Sequence, residues 1–487
     1  MPLKKIMNHS DNRIRLLCFF LLFFNCILLS TFLSTENFAY DSKYYWTIAD
    51  PVVYQYGKIS LLAFPETFRG CVLPLIVLAL KVVFRGIWGW RVFSALMVAG
   101  LFGIFLPKIA GFSITTAKDT LRVITAELVL LYFWGDFLQY PLSDMPAVFF
   151  LAAGIYFLDL TLNLINENVG EKRGSIYTKA AASAAAGGAC LYAAYNCRAV
   201  FLYSAILVAA VFIGRGIKRR RTKSLLIVGL GLLFGLGIAA CPQCLINKEH
   251  IGVYSPKVYT EQYTDYKKSL QAEQVLWGLS VSRYETYIGN AEQYPTPGVF
   301  FDDPIGRKIV EMDGIEAENF SVSDIVVLFS KHPLDILGIY TRHLISLMTP
   351  AWNQSYITNL FADKTFVVLF SIALWYLAGL NVLSQLNVKV YRGNNVPYKA
   401  AFCVPAFMQL FGAPEIRFFL PIFLLLYTYV FYEINYRKMM IYVKSRWPAI
   451  LIFGALLFAL WITVLGDTLS FNREATLLIG DSIKNIK

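Results

Sequence analysis

Cys71-Val72-Leu73-Pro74-Leu75-Ile76-Val77-Leu78-Ala79-Leu80-Lys81-Val82-Val83-Phe84 is the stretch on which the fold turns. It is apolar, but it holds Pro74 and Lys81 and falls short of the roughly 20 residues that a helix needs to cross a bilayer. Eleven other runs carry few or no charges: 16–34, 92–107, 120–136, 146–164, 180–196, 199–214, 224–240, 366–384, 400–412, 418–432 and 447–465. The strongest cytoplasmic markers are the amino terminus, with Lys4, Lys5, Arg13 and Arg15, and the run Arg215, Lys218, Arg219, Arg220, Arg221, Lys223. Two segments on one face must be separated by an even number of spans. Counting 71–84 as a span gives seven between them, whereas an interfacial or re-entrant helix gives six. Residues 35–91 are therefore expected to form one long outer loop.

The composition agrees with a membrane chain. With 57% hydrophobic and 16% charged residues among 487, the sequence is too apolar for a water-soluble protein of this size. The first run follows four basic residues, as a signal peptide would, but it lacks a small-x-small exit and reads as a retained signal anchor. The expected inner segments, 1–15, 108–122, 165–179, 215–223, 385–399 and 433–446, carry 23 Lys+Arg and 5 Asp+Glu; the rest of the chain carries 21 and 27. The net charge of +12 thus marks orientation and contact with anionic inner-leaflet lipid, and calls for no nucleic acid. The expected fold class is an all-α polytopic membrane protein of about eleven transmembrane helices plus outer-face interfacial helices. Residues 1–432 form the main region, including outer loop 35–91 and outer insert 241–365. Residues 433–487 hold the last span and a short outer tail. No internal repeat or low-complexity tract is visible.

The loop after the first span, Glu36-Asn37-Phe38-Ala39-Tyr40-Asp41-Ser42-Lys43-Tyr44-Tyr45-Trp46-Thr47-Ile48-Ala49-Asp50, sets carboxylates among aromatic rings and runs on through Pro65, Glu66 and Arg69. A carboxylate at a membrane surface can take a proton from a sugar hydroxyl while the rings stack on the apolar face of the sugar. The competing reading is an interfacial aromatic belt with the aspartates as helix caps. Under the expected topology Asp41, Asp50, Asp144, Arg198, Arg342, Glu415 and Arg417 all fall at the outer surface. An arginine there suits forked bonding to phosphate, with snorkelling or an Arg–Glu pair as the alternative.

Other ionisable groups carry less. His332 and His343 are close to three helical turns apart, which predicts a shared helix face, and they read as interfacial residues with phosphate contact as a second reading. Asp302-Asp303 before Pro304 reads as a turn. Asp136 lies at the edge of a span, and Glu127 within one would need a partner. Cys241-Pro242-Gln243-Cys244 reads as a local disulfide at the mouth of a span rather than a metal or redox site, because no second ligand pair is near. The P-loop, H-E-x-x-H and G-x-S-x-G patterns are absent, and the inner loops are too short to fold a nucleotide-sugar-binding domain. A sugar donor would have to arrive already attached to a lipid.

The order of features resembles the GT-C class of membrane glycosyltransferases, which includes the protein O-mannosyltransferases and the lipid A aminoarabinose transferases. The resembling features are Asp41 after the first span, Pro74-Leu75 in an interfacial helix, Trp90-Arg91-Val92-Phe93-Ser94-Ala95-Leu96 and Pro141-Leu142-Ser143-Asp144-Met145-Pro146. To these add His332-Pro333 and Pro414-Glu415-Ile416-Arg417-Phe418-Phe419-Leu420-Pro421. The resemblance implies an inverting transfer from a polyprenyl-phosphate sugar to a glycan, lipid or protein acceptor at the outer, periplasmic face of the plasma (inner) membrane. It maps the first-loop carboxylate to Asp41, as base, and the second-loop carboxylate to Asp144, which would orient the acceptor or Asp41, or help bind a divalent cation. Arg198, Arg342 and Arg417 would hold the donor phosphate, with Asp50, Glu415, His332, Tyr44 and Tyr45 in support. Asp41 is followed by Ser42, where many mannosyltransferases have a second acid, and the insert is longer than a minimal member needs. The rival classes are a surface-polysaccharide polymerase or ligase, and a flippase or transporter, which would show inverted repeats and midplane charge.

Overall fold

The computed structural model describes residues 9–33, 38–54, 60–66, 69–166, 173–218, 222–259, 270–288, 298–315, 320–385, 396–470 and 476–479. Glu36 of the aromatic loop and Arg219 to Arg221 of the basic run lie outside them. The first helices are α1 (His9–Phe32), α2 (Tyr40–Thr47), α3 (Pro51–Tyr54), α4 (Val72–Phe84), α5 (Trp88–Gly100), α6 (Leu106–Ala110) and α7 (Ala117–Trp134). There follow α8 (Asp144–Asn166), α9 (Arg173–Cys197), α10 (Phe201–Lys218), α11 (Thr222–Ile251) and α12 (Leu270–Ser280). The later helices are α13 (Pro304–Met312), α14 (Val322–Lys331), α15 (Pro333–Met348), α16 (Thr365–Ser384), α17 (Val396–Met408), α18 (Leu420–Tyr427) and α19 (Tyr436–Ser470).

The described parts of the eleven apolar runs lie largely on helix, and seven helices are long and apolar enough to cross a membrane: Arg13–Phe32, Trp88–Ala110, Asp144–Ile165, Phe201–Lys218, Leu226–Ile251, Thr365–Ser384 and Tyr436–Leu469. The other four runs fall short of that standard for visible reasons. Helix α7 carries Lys118, Asp119, Arg122 and Glu127; α9 is rich in alanine and glycine; α17 is 13 residues long with Pro405 inside. The run 418–432 falls within the short apolar helix Ile416–Tyr432. Helix α4 is likewise short, and it ends on two residues with positive φ, Arg85 and Gly86, that turn the chain sharply into α5.

The chain is mostly helical, as expected for an all-α membrane protein, with a few strands added in the insert and the C-terminal tail. Strands β1 (Val281–Tyr287), β2 (Gly298–Asp302), β3 (Tyr356–Ile357) and β4 (Thr476–Ile479) form one sheet in the order β3-β1-β2-β4. β1 runs antiparallel to β2 and parallel to β3, and β2 runs antiparallel to β4. The segments β1 and β2 are rich in Val, Tyr, Thr and Phe, which favour a pleated surface, but they are too short and too polar to register as apolar runs.

The chain divides into two compact units. The first comprises residues 1–129, 137–259 and 391–405; the second comprises 130–136, 260–390 and 406–487. In the first, α9 packs against both α8 and α11 through small residues. A Cβ on Gly235 of α11 would fall 1.8 Å from the Ala185 carbonyl oxygen of α9, so the two backbones touch, as helices do where lipid supplies no hydrophobic drive. Glu127 accepts from the Asn25 amide of α1 at 2.9 Å and from the Cys26 thiol at 3.4 Å, which supplies the partners that a carboxylate inside a span requires. Cys241 and Cys244 are free, contrary to the expected disulfide. Helix α11 continues unbroken through the pair to Ile251, and Gln243 between them is buried.

In the second unit, Val299, Phe301, Ile345, Trp352, Ile357, Val368, Trp461 and Leu465 make one core. A second core joins α12 to α15. Asp136 accepts from the Ser355 and Tyr356 backbone N–H groups at 2.6 and 3.1 Å and from the Ser355 hydroxyl at 3.1 Å, which fixes the start of β3. Helix α19 bends at Arg446, two residues before Pro448, where proline removes a backbone donor.

Candidate active site

Asp41 lies in the first turn of α2, and Tyr40 before it adopts a left-handed φ of 49°, uncommon for an aromatic residue. The Ser42 hydroxyl bonds both the N–H and the carbonyl of Ala39, closing the turn. Arg69 Nη2 donates to Asp41 Oδ1 at 2.5 Å, and its Nη1 donates to the Tyr45 hydroxyl at 3.0 Å. The guanidinium carbon sits 5.4 and 5.3 Å from the ring centroids of Tyr44 and Tyr45, which meet edge to face. Arg69 is therefore held by a carboxylate, a phenol and two rings, in reach of cation–π attraction. Asp41 stays about one-fifth exposed, at 22%. Burial pushes the Tyr44 phenol well above its ordinary range, so it is a neutral group at physiological pH.

Asp50 is engaged differently. Lys81 of α4 donates to it at 2.6 Å and to the Trp46 carbonyl at 2.8 Å, with its ammonium 4.9 Å from the Trp46 ring centroid. Asp50 thus fastens α4 to the turn that follows α2.

Asp144 opens α8 at the end of a turn whose residues 137–144 are buried, where a surface turn was expected. Arg198 Nη1 makes a close ion pair with Asp144 Oδ1. The two aspartate–arginine pairs are linked through backbone: Gly70, next to Arg69, packs on Asn196, two residues before Arg198. A Cβ at Gly70 would fall 1.9 Å from the Asn196 carbonyl oxygen, so no larger residue fits there without movement. The first unit thus holds two clusters, Asp41 with Arg69, Tyr44 and Tyr45, and Asp144 with Arg198, joined by the Gly70–Asn196 backbone contact.

The remaining candidates belong to the second unit. Arg342 forks onto Asp303 through Nε and Nη2 at 2.7 and 2.9 Å, and Asp303 also caps α13 by accepting from Gly306 N–H at 3.1 Å. Asp303 is therefore a helix cap, and its neighbour Asp302 ends β2. Arg417 Nε lies 2.6 Å from Glu415 Oε1, which also accepts from Thr286 at 3.2 Å. Beside them on β1, Arg283 donates to Glu285 at 2.6 Å and to the carbonyls of Ser346 and Thr349. Burial raises the Glu285 carboxyl above its ordinary range, an effect that Arg283 and Arg417 oppose. Arg283 and Glu285 were not among the residues singled out in the sequence; the signal for them is an opposite-charge pair at i and i+2, which a strand puts on one face.

The two histidines do not share a helix face. His332 is the junction between α14 and α15 and lies 3.5 Å from Asp313, whereas His343 is fully buried with Nδ1 2.7 Å from the Leu410 carbonyl. Proline at 333 starts a new helix, so the three-turn count does not run through His332. Among the described residues no three His, Cys, Asp or Glu converge to hold a metal ion, and Asp144 is committed to Arg198, so the residues do not fit the divalent cation that the resemblance allowed. No protein-family model, curated protein or solved structure matches the chain.

Proposed function

We propose that the protein transfers a sugar from a polyprenyl-phosphate carrier to an acceptor hydroxyl at the outer face of the plasma (inner) membrane. The observation that carries this reading is Asp41, partly exposed beside Arg69 and two tyrosine rings, on a loop that follows an apolar helix long enough to cross a membrane. Asp41 removes the proton of the acceptor hydroxyl. The oxygen attacks the anomeric carbon opposite the phosphate, the bond from that carbon to the phosphate oxygen breaks with its electron pair leaving on the phosphate, and the configuration inverts. A positioned base typically contributes about 10²- to 10⁴-fold.

Arg198, its guanidinium steadied by the ion pair with Asp144, contacts the departing phosphate. Tyr44, which is only partly buried, offers ring surface to the sugar, while buried Tyr45 holds Arg69. In the second unit Arg342 is forked onto Asp303 and Arg417 is paired with Glu415.

The test is to mix the purified protein in detergent, with no membrane potential, with a cell-envelope lipid extract and to follow the polyprenyl-phosphate sugars by mass spectrometry. One of them should disappear as free polyprenyl phosphate accumulates. A flippase or transporter would leave every donor intact, and that result would end the proposal.

A further inference from the structure

We infer that Asn196 is a positioning residue for Asp41, acting through a relay of three buried side-chain amides that sets the backbone next to Arg69. Its catalytic meaning rests on the transfer reaction proposed above; its structural meaning does not.

The relay is closed on every side. Asn196 Oδ1 accepts the Val72 N–H at 2.7 Å, and its Nδ2 donates to Gln243 Oε1 at 3.0 Å. The same Gln243 oxygen accepts the Cys71 N–H at 3.2 Å, so both of these N–H groups at the start of α4 end on side-chain amides of α9 and α11. Gln243 Nε2 donates to Asn247 Oδ1 at 3.0 Å, and Asn247 Nδ2 donates to the carbonyls of Ser255 and Lys257 at 2.6 and 2.8 Å. Asn196, Gln243 and Asn247 are 1%, 2% and 5% exposed, so each bond is made away from water, where an amide left without partners is costly.

Other contacts lock the same place. The last turns of α9 hold the segment 255–258 through Tyr192, which donates to the Pro256 carbonyl, and through Tyr195, which accepts the Val258 N–H. They also carry the Asn196 carbonyl against which Gly70 is pressed. Residues 70, 71 and 72 are thus pinned at three successive positions, and Arg69 is the next residue back. Arg69 then reaches α2 through Asp41 and Tyr45. Loosening the relay frees the backbone that delivers Arg69, and the carboxylate it steadies moves with it. A misplacement of this kind is expensive in a reaction that depends on alignment.

The test uses full-length protein and two readouts. First, Asp41→Cys and Arg69→Cys are combined, with Cys71→Ser and Cys244→Ser to remove neighbouring thiols, and a short bis-thiosulfonate measures how often positions 41 and 69 lie within its span. Adding Asn196→Ala should lower the crosslink yield several-fold, and Asn381→Ala, at an equally buried amide of α16, should leave it unchanged. Second, in the otherwise native chain Asn196→Ala should reduce kcat by roughly 10- to 100-fold with donor KM little changed. Where Asn196→Ala does not fold, Gln243→Ala and Asn196→Asp serve both readouts; Asn196→Asp keeps an acceptor for Val72 and loses the donor to Gln243. A fall in crosslinking with no turnover of any polyprenyl-phosphate sugar by the native chain upholds the positioning and rejects the proposed reaction. Unchanged crosslinking, or a fall in crosslinking with kcat untouched, overturns the inference.

Discussion

His343 is the residue whose environment speaks most plainly about charge. A carbonyl oxygen only accepts, so Nδ1 must carry the proton in its bond to Leu410, and burial lowers the pKa below the ordinary histidine range despite that bond. The ring is therefore neutral, and a phosphate would find no cation there. The unfolded chain takes up the histidine proton below about pH 6.5 while the folded chain resists it, so stability falls as pH drops through that value, by at most about 1.4 kcal/mol per pH unit. The thermal midpoint of the native chain should decline between pH 7 and pH 5, and His343→Gln, with a lower midpoint throughout, should give a shallower decline. Equal slopes would mean that the folded chain takes up the His343 proton as readily as the unfolded one. At this scale the carboxylates were legible and their partners were not. Asp41 and Asp144 stand out because acids beside apolar runs are conspicuous, whereas the pairing of Asp41 with Arg69, 28 positions away, needs the folded loop. Asn196 and Gln243 gave no signal at all, since a buried amide declares itself only through the groups it bonds.

Helix α4 decides the handedness of the whole topology. Its 13 residues at about 1.5 Å each reach roughly 20 Å, short of a hydrocarbon core of about 30 Å, and Lys81 near its end is tied to Asp50 and Trp46. Single cysteines at positions 60 and 86 should react with a membrane-impermeant maleimide from the same side of sealed vesicles; reaction from opposite sides would make α4 a crossing and invert every later loop. Most elements could be traced in the sequence because apolar runs of sufficient length leave few alternatives. Even the expected division between inner segment 433–446 and span 447–465 coincides with the bend of α19 at Arg446. The sheet could not, because β1 buries Arg283 and Glu285 on the face where alternation would put apolar residues, and β3 has only two residues. Their pairing is decided by contacts distant in sequence, Thr286 with Tyr356 and Val299 with Leu478 among them.

At the scale of the molecule, seven long apolar helices and a net positive charge carried by the expected inner segments describe a protein embedded in a membrane. Leu451, Ile452, Phe453 and Leu456 of α19 are each more than half exposed, a surface that water would penalise and lipid would not. The division into two units was invisible in the sequence: residues 130–136 leave the run of α7 to join the second unit, where Asp136 caps β3. In the proposed reaction Asp41 is the base, while Asp50 anchors α4 through Lys81. The most direct measurement is single-turnover transfer from a polyprenyl-phosphate sugar by Asp41→Asn and Asp50→Asn at matched expression. Asp41→Asn should keep donor binding and lose about two orders of magnitude or more in rate, and Asp50→Asn should lose much less. Near-normal transfer by Asp41→Asn would contradict the account.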